Sequence, residues 1–165
     1  MLTETLLNGY LGKHISQICP NAFHADSENH CAHFVSHVLN LSFGMTCGHL
    51  VAGSQRKGPA GNVRVQELFA QCPNARELDV CPQYMEALIF VSAPRNFQTG
   101  GSRPVLANVQ NKHIGLFLNG QIWHYSNSRR QVIQQILAQF IHHYPQQQNA
   151  LWVGDLPITA SVHHP

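Results

Sequence analysis

Hydrophobic positions follow helical spacing in some segments of the chain and form strand-like runs in others. Apolar residues recur three or four positions apart in segments 3–11, 31–40, 63–71 and 131–143, which predicts four helices. Continuous apolar runs predict strands at 87–91, 112–118, 121–125 and 150–153. Asn119-Gly120 lies between the second and third runs and predicts a two-residue hairpin turn. The pattern indicates an α+β fold, in which N-terminal helices pack on a mostly antiparallel sheet.

The length of 165 residues fits one domain with a sizeable core, which we expect over about residues 20–153. Segment 43–61 is rich in Gly and polar residues and predicts a surface loop. We expect the tail, residues 154–165, to be poorly ordered.

Composition excludes several classes of function. Charged residues make up 11% of the chain, the formal net charge is +2, and no stripe of Lys and Arg is present, so we expect no nucleic-acid partner. No apolar run approaches about 18 residues, so we expect no membrane span. The N-terminus lacks the basic and apolar regions of a signal peptide. We therefore expect a protein that is cytoplasmic as made, and any export would need a signal-independent secretion system.

Five cysteines form an odd set without a C-x-x-C pair, which argues against a zinc ribbon or a disulfide scaffold. Cys72 and Cys81 could form one disulfide in an oxidising compartment. His33 and His37 are four residues apart and could hold zinc together with Cys31 or His30. No distant pattern supplies further ligands, so the sequence predicts neither a metal nor a cofactor, and we expect His33 to pack behind the nucleophile proposed next.

Cys31 opens a predicted helix, where backbone N–H groups and the helix dipole favour a thiolate. His113 begins one strand and His124 ends the next. With the turn at 119–120, His113 and His124 become diagonal neighbours on one face of the sheet, and Gly115 leaves room opposite His124. A thiol, a base and a residue that orients the base are the parts of a cysteine nucleophile site.

These residues resemble the NlpC-type cell-wall cysteine peptidases, which have a papain-like fold. The resemblance covers roughly residues 25–135 and depends on Cys31 at a helix start and on segment 113–126. That segment is similar to the family's pattern of a His, a Gly among hydrophobic residues, and a second His on the next strand. The resemblance implies that Cys31 is the nucleophile, His113 the base and His124 the orienting residue. It also implies a single catalytic domain over residues 1–165.

The chain departs from the family around the nucleophile and in its spacing. His30 and Ala32 flank Cys31, where the family usually has Asp and Ser, and an insertion or mobile loop at 48–80 would explain the long interval before His113. Residues 31–35 also resemble a Cys motif of the lecithin:retinol acyltransferase relatives. Those relatives carry their catalytic His before the Cys, so the order in this chain favours the first family.

The resemblance implies amide hydrolysis in peptidoglycan stem peptides through an acyl-enzyme. Tyr10, Asn29, His30 and Trp123 are the candidate substrate-binding residues, and the N–H of Cys31 is a candidate oxyanion donor. An acyltransferase, or a thioester or lipid hydrolase, is an alternative that uses the same Cys and His. An inactive peptide-binding domain is another. By analogy with small amidase effectors that are injected into rival cells, an immunity protein would be a partner.

Overall fold

The computed structural model describes residues 1–79 and 85–165, and these residues have the predicted α+β fold. The helices described are α1 (Glu4–Asn8), α2 (Cys31–Leu39), α3 (Val65–Gln71) and α4 (Leu137–Phe140). The strands are β1 (Arg76–Glu77), β2 (Glu86–Ser92), β3 (Phe97–Gln98), β4 (Val105–Leu106), β5 (His113–Leu118), β6 (Gln121–Ser126), β7 (Gln131–Ile136) and β8 (Ala150–Gly154). Six strands form one antiparallel sheet in the order β1-β8-β2-β5-β6-β7, and β3 pairs with β4.

The sheet carries a hydrophobic core on each face. Helices α1, α2 and α3 belong to the larger core, which includes Leu116 of β5 and Trp123 of β6. The smaller core contains Phe117 of β5 and Phe140 of α4. Because side chains alternate along a strand, odd-numbered residues of β5 face α4 and even-numbered residues face α2.

The hairpin between β5 and β6 has the predicted register. Leu118 pairs with Gln121 and Leu116 pairs with Trp123. Asn119 and Gly120 both have positive φ, 50° and 84°, as the predicted two-residue turn requires. This register fixes which residues of the two strands share a face.

The predicted helix over 131–143 is wrong for its first half. Residues 131–136 form β7, which pairs with β6 from Gln121↔Ile136 to Ser126↔Gln131, and only Leu137–Phe140 is α-helical. The other edge of β7 is also bonded, because Gly12 N donates to Val132 O and Val132 N donates to Lys13 O, both at 3.0 Å. Backbone pairing on both edges outweighs a spacing of apolar residues that fits a helix equally well.

The predicted loop and tail are both held by hydrogen bonds. The loop at 43–61 contains the short 3-10 helices Cys47–His49 and Gly53–Gln55, and it is followed by α3, within the segment 48–80. In the tail, Ser161 N and His163 N donate to the carbonyls of Leu39 and Val38 at 2.9 and 2.8 Å. The last carbonyls of a helix lack partners within it, so the tail completes the end of α2.

Two further expectations concern single features of the chain. Among the described residues, no helix has both the length and the hydrophobicity that crossing a bilayer requires.

Cys72 is buried, and its Sγ donates to Leu68 O at 3.3 Å. Cys81, with which it could form a disulfide, lies outside the described residues.

Candidate active site

Cys31 is the first residue of α2, as predicted. Asn29 Oδ1 accepts a hydrogen bond from Cys31 N at 3.0 Å, and His30 O accepts one from Phe34 N at 2.9 Å. The helix ends at Asn40, whose left-handed conformation (φ 52°) stops it. The thiol is almost fully buried and faces the backbone N–H of Ile114 in β5. The structure therefore places the predicted nucleophile against the residue that follows the predicted base.

His113, His124 and Gln135 form a chain of side-chain hydrogen bonds across β5, β6 and β7. His113 Nε2 lies 2.8 Å from His124 Nδ1, and His124 Nε2 lies 2.8 Å from Gln135 Oε1. An amide oxygen only accepts, so His124 Nε2 carries the proton and His124 Nδ1 accepts from His113 Nε2. Neutral His113 then has a bare lone pair on Nδ1.

Nδ1 of His113 is buried and has no hydrogen-bond partner among the described residues. Buried polar atoms are usually paired, so this nitrogen requires a functional or structural explanation. A general base needs a free nitrogen of the correct tautomer, and Nδ1 of His113 is such a nitrogen. Neither ring nitrogen of His113 bonds the thiol in this structure, because His113 packs against Phe140 of α4 whereas Cys31 belongs to the core on the other face of the sheet.

Burial decides the protonation state of the site. It raises the pKa of the Cys31 thiol to about 11, although the N–H groups of Ile114 and Ala32 act in the opposite direction. It also lowers the pKa of His124 to about 4 and that of His113 well below its usual value. The expectation of a thiolate stabilised by the helix N-terminus is therefore wrong for this buried state. At neutral pH the pair is a thiol and a neutral imidazole.

Three residues missed by sequence reasoning pack around this chain of histidines. Gln135 was hidden by the assignment of a helix to 131–143. His143 is half-buried and stacks on His113 with ring centroids 3.7 Å apart. Phe140 packs edge-on against His124 at 5.1 Å. If 131–136 had been recognised as a strand, Gln135 would have been placed on the same face of the sheet as His124. It lies two residues beyond Ile133, the residue paired with His124.

Three of the four predicted substrate-binding residues have internal roles instead. Tyr10 is buried against Phe34, and its hydroxyl donates to His163 O at 2.7 Å. Trp123 is fully buried on the face opposite His124, and its Nε1 donates to Asn8 Oδ1 at 3.1 Å. His30 is buried, with Nε2 2.9 Å from Ala25 O. Burial and the internal partner of each polar atom argue against a substrate-binding role for these three residues.

Asn29 combines helix capping with a place at the surface. It is exposed and lines a cleft of about 340 Å³, together with Lys112, the residue before His113. The cleft is also lined by Arg64, Asn108 and Gln110 and by the valines Val63, Val65 and Val109, and neither Cys31 nor His113 is among its lining residues. The N–H of Cys31, a predicted oxyanion donor, is engaged by Asn29 and is not free in this structure.

Among the described residues, two groups of side chains have the spacing of metal ligands. Ligand atoms of His113, His124 and His143 lie within 4.8 Å of one another. However, His113 is hydrogen-bonded to His124, and His124 is hydrogen-bonded to Gln135. The second group is fully buried beside α2 and comprises Cys19, His33, His37 and Cys47. His33 and His37 are the pair noticed in the sequence, and the structure supplies two cysteines as their neighbours.

Comparisons of this chain with protein-family models, with curated proteins and with solved structures gave no match. The case for a function therefore depends on the residues of the site itself.

Proposed function

We propose that the protein is a cysteine hydrolase of the papain-like type that cleaves an amide bond through an acyl-enzyme. The observation that carries the proposal is the hydrogen-bond chain Gln135–His124–His113, which leaves Nδ1 of His113 unpaired and buried, while Cys31 begins α2 and faces the N–H of the next residue of β5, Ile114. A histidine that is oriented through one nitrogen and free at the other supports a role as general base.

The reaction would begin with a neutral pair. As Cys31 Sγ attacks the substrate carbonyl, its proton passes to His113 Nδ1, and the charge that forms on the imidazole is stabilised by His124. His113 then gives this proton to the leaving amine, and a thioester on Cys31 remains. Water adds to the thioester with His113 again as base, which releases the acid and restores the thiol.

The lining of the cleft favours a polar substrate over a lipid. Arg64 and Lys112 are cationic, and Asn29, Asn108 and Gln110 offer amide groups for hydrogen bonds. Peptides with carboxylate groups match this lining, whereas an acyl chain would need an apolar groove. By resemblance to the NlpC-type peptidases, peptidoglycan stem peptides are the proposed substrate class.

Digestion of purified peptidoglycan tests this function. The wild type should release new amine and carboxyl ends, detected by mass spectrometry of the muropeptides, and Cys31→Ala should reduce the rate by about 10³-fold or more. Cys72→Ala is the matched control, because Cys72 is also a buried cysteine but lies outside the site. Equal cleavage by the wild type and Cys31→Ala would exclude Cys31 as the nucleophile. Failure of the wild type to cleave peptidoglycan and thioester probes alike would contradict the hydrolase proposal.

A further inference from the structure

A compact group of four side chains lies beside α2 in the larger core, whereas His113 and His124 pack against Phe140 on the other face of the sheet. Cys19, His33, His37 and Cys47 are all buried, and they offer two sulfur and two nitrogen atoms. Cys19 Sγ and Cys47 Sγ are 3.8 Å apart, His33 Nε2 and His37 Nε2 are 3.1 Å apart, and Cys47 Sγ is 3.8 Å from His37 Nε2. Three separate parts of the chain thus direct ligand atoms to one point.

The distances match those between the ligands of a tetrahedral zinc ion. With Zn–S of about 2.3 Å and Zn–N of about 2.0–2.1 Å, tetrahedral geometry separates two sulfurs by about 3.8 Å and two nitrogens by about 3.3 Å. The spacings observed are 3.8 and 3.1 Å. A disulfide would need an S–S distance of about 2.05 Å.

The hydrogen bonds of His30 and of His33 Nδ1 leave the other ring nitrogen of His33, Nε2, without a proton. His30 Nε2 lies 2.9 Å from Ala25 O, and a carbonyl can only accept, so His30 Nε2 is the donor. His30 Nδ1 then accepts from His33 Nδ1 at 3.1 Å. His33 Nε2 is consequently a bare lone pair that points into the cluster. A ligating histidine is commonly oriented in this way, through a hydrogen bond from its other nitrogen.

The sulfur of Cys47 is surrounded by donors that suit a thiolate. Asn21 Nδ2 and Gly61 N both donate to Cys47 Sγ at 3.4 Å. Asn21 itself is fully buried and is fixed by Pro59 O, which accepts from Nδ2 at 3.0 Å. These donors would stabilise a negatively charged sulfur in a buried position, where an unpaired charge would be costly.

We propose that Cys19, His33, His37 and Cys47 bind one zinc ion. Two thiolates and two imidazoles form a donor set that favours Zn²⁺ over Mg²⁺ or Ca²⁺, which prefer oxygen ligands. Four protein ligands in a buried position fill a tetrahedral shell and leave no place for substrate, so the ion is structural.

The zinc ion would link two loops to α2, the helix that begins with Cys31. Cys19 follows the 3-10 helix Ile15–Gln17, and Cys47 begins the 3-10 helix in the 43–61 loop, whereas His33 and His37 lie within α2. Through His33 and His30 the ion also fixes the residue that precedes Cys31. The metal would hold the start of α2 in place without touching the substrate.

Metal analysis of the full chain, prepared without an affinity tag because a histidine tag binds metals, tests the proposal. Protein purified from zinc-supplied cells should contain about one zinc per chain. Cys19→Ala and His37→Ala should lose it, and Cys72→Ala and His142→Ala should retain it. Cys72 is a buried cysteine outside the cluster, and His142 is an exposed histidine.

A wild-type experiment keeps the test valid if the ligand variants fail to fold. Removal of the metal with a chelator should lower the Tm, and Zn²⁺ but not Mg²⁺ should restore it. Co²⁺ added to the stripped protein should give the intense d–d bands of a tetrahedral site and a thiolate-to-cobalt charge-transfer band. Folded wild type that contains no zinc and gives no such cobalt spectrum would overturn the proposal. A Cys19–Cys47 disulfide in protein purified without oxidant would overturn it as well.

Discussion

His113 and His124 are joined by a 2.8 Å hydrogen bond between Nε2 and Nδ1, and Gln135 fixes the direction of its proton. The two histidines lie on neighbouring strands, two positions out of register, with Gly115 beside the His124 side chain. Because the amide oxygen of Gln135 accepts from His124, the chain of donors leaves Nδ1 of His113 as an acceptor. The sheet thus selects one tautomer of the proposed base without any charged residue.

Replacement of Gln135 tests its role in positioning the base. Gln135→Ala removes the acceptor for His124 Nε2, so His124 can take the other tautomer and no longer accept from His113. We expect kcat to fall by about 10-fold to 10²-fold, which is less than the ~10²–10⁴-fold supplied by general-base catalysis as a whole. Gln134→Ala is the matched control, because Gln134 lies on the same strand but is exposed. Equal kcat values for the two variants would remove Gln135 from the mechanism.

The reactivity of Cys31 should depend steeply on pH. Its pKa is raised to about 11, so the thiolate fraction, and with it the alkylation rate, should rise about tenfold per pH unit from pH 7 to pH 10. Peptide mass spectrometry after timed treatment with iodoacetamide measures this rate. Cys72, with a pKa raised to about 12, is an internal comparison in the same sample. A plateau of Cys31 alkylation near neutral pH would instead show a preformed thiolate–imidazolium pair.

Addition of one methyl group at Gly115 should disturb both stability and activity. A Cβ at this position would lie 2.6 Å from Ile122 Cγ2 and 3.2 Å from His124 Cβ. We expect Gly115→Ala to lower the free energy of unfolding by about 1–3 kcal/mol and to reduce kcat by displacing His124. Urea unfolding and the peptidoglycan assay measure the two effects. Gly53→Ala is the control, since a Cβ there meets no atom within 4 Å, and a similar loss in both variants would contradict this explanation.

Mild acid should destabilise the fold through the buried histidines. The pKa of His124 is lowered to about 4, compared with about 6.5 in the unfolded chain, so the unfolded state takes up the proton first as the pH falls. The stabilisation is complete above pH 6.5 and declines by about 1.4 kcal/mol per pH unit between pH 6.5 and pH 4.

Urea unfolding at several pH values measures this decline. His124→Gln should flatten the dependence by removing one titrating group, and His142→Gln, at an exposed position, should leave it unchanged. An unchanged slope in His124→Gln would show that His124 does not titrate as inferred.

The sequence by itself determined the features that depend on local chemistry. Asn119-Gly120 specified the hairpin turn, and with it the register that brings His113 and His124 to one face. The start of α2 at Cys31 and the α+β class followed from the spacing of apolar residues. These features are encoded in short segments, so the period of the pattern is sufficient to find them.

Tertiary structure alone decided the features that depend on neighbours distant in the chain. Segment 131–136 became a strand because β6 and residues 12–13 bond its two edges, and this pairing brought Gln135 to His124. Burial, which no local pattern measures, kept the Cys31 thiol protonated despite its place at a helix start. Cys19 and Cys47 joined His33 and His37 only when the loops folded against α2. Long-range contacts of this kind have no fixed spacing in the sequence, and for that reason the four-residue cluster was visible only as a pair of histidines.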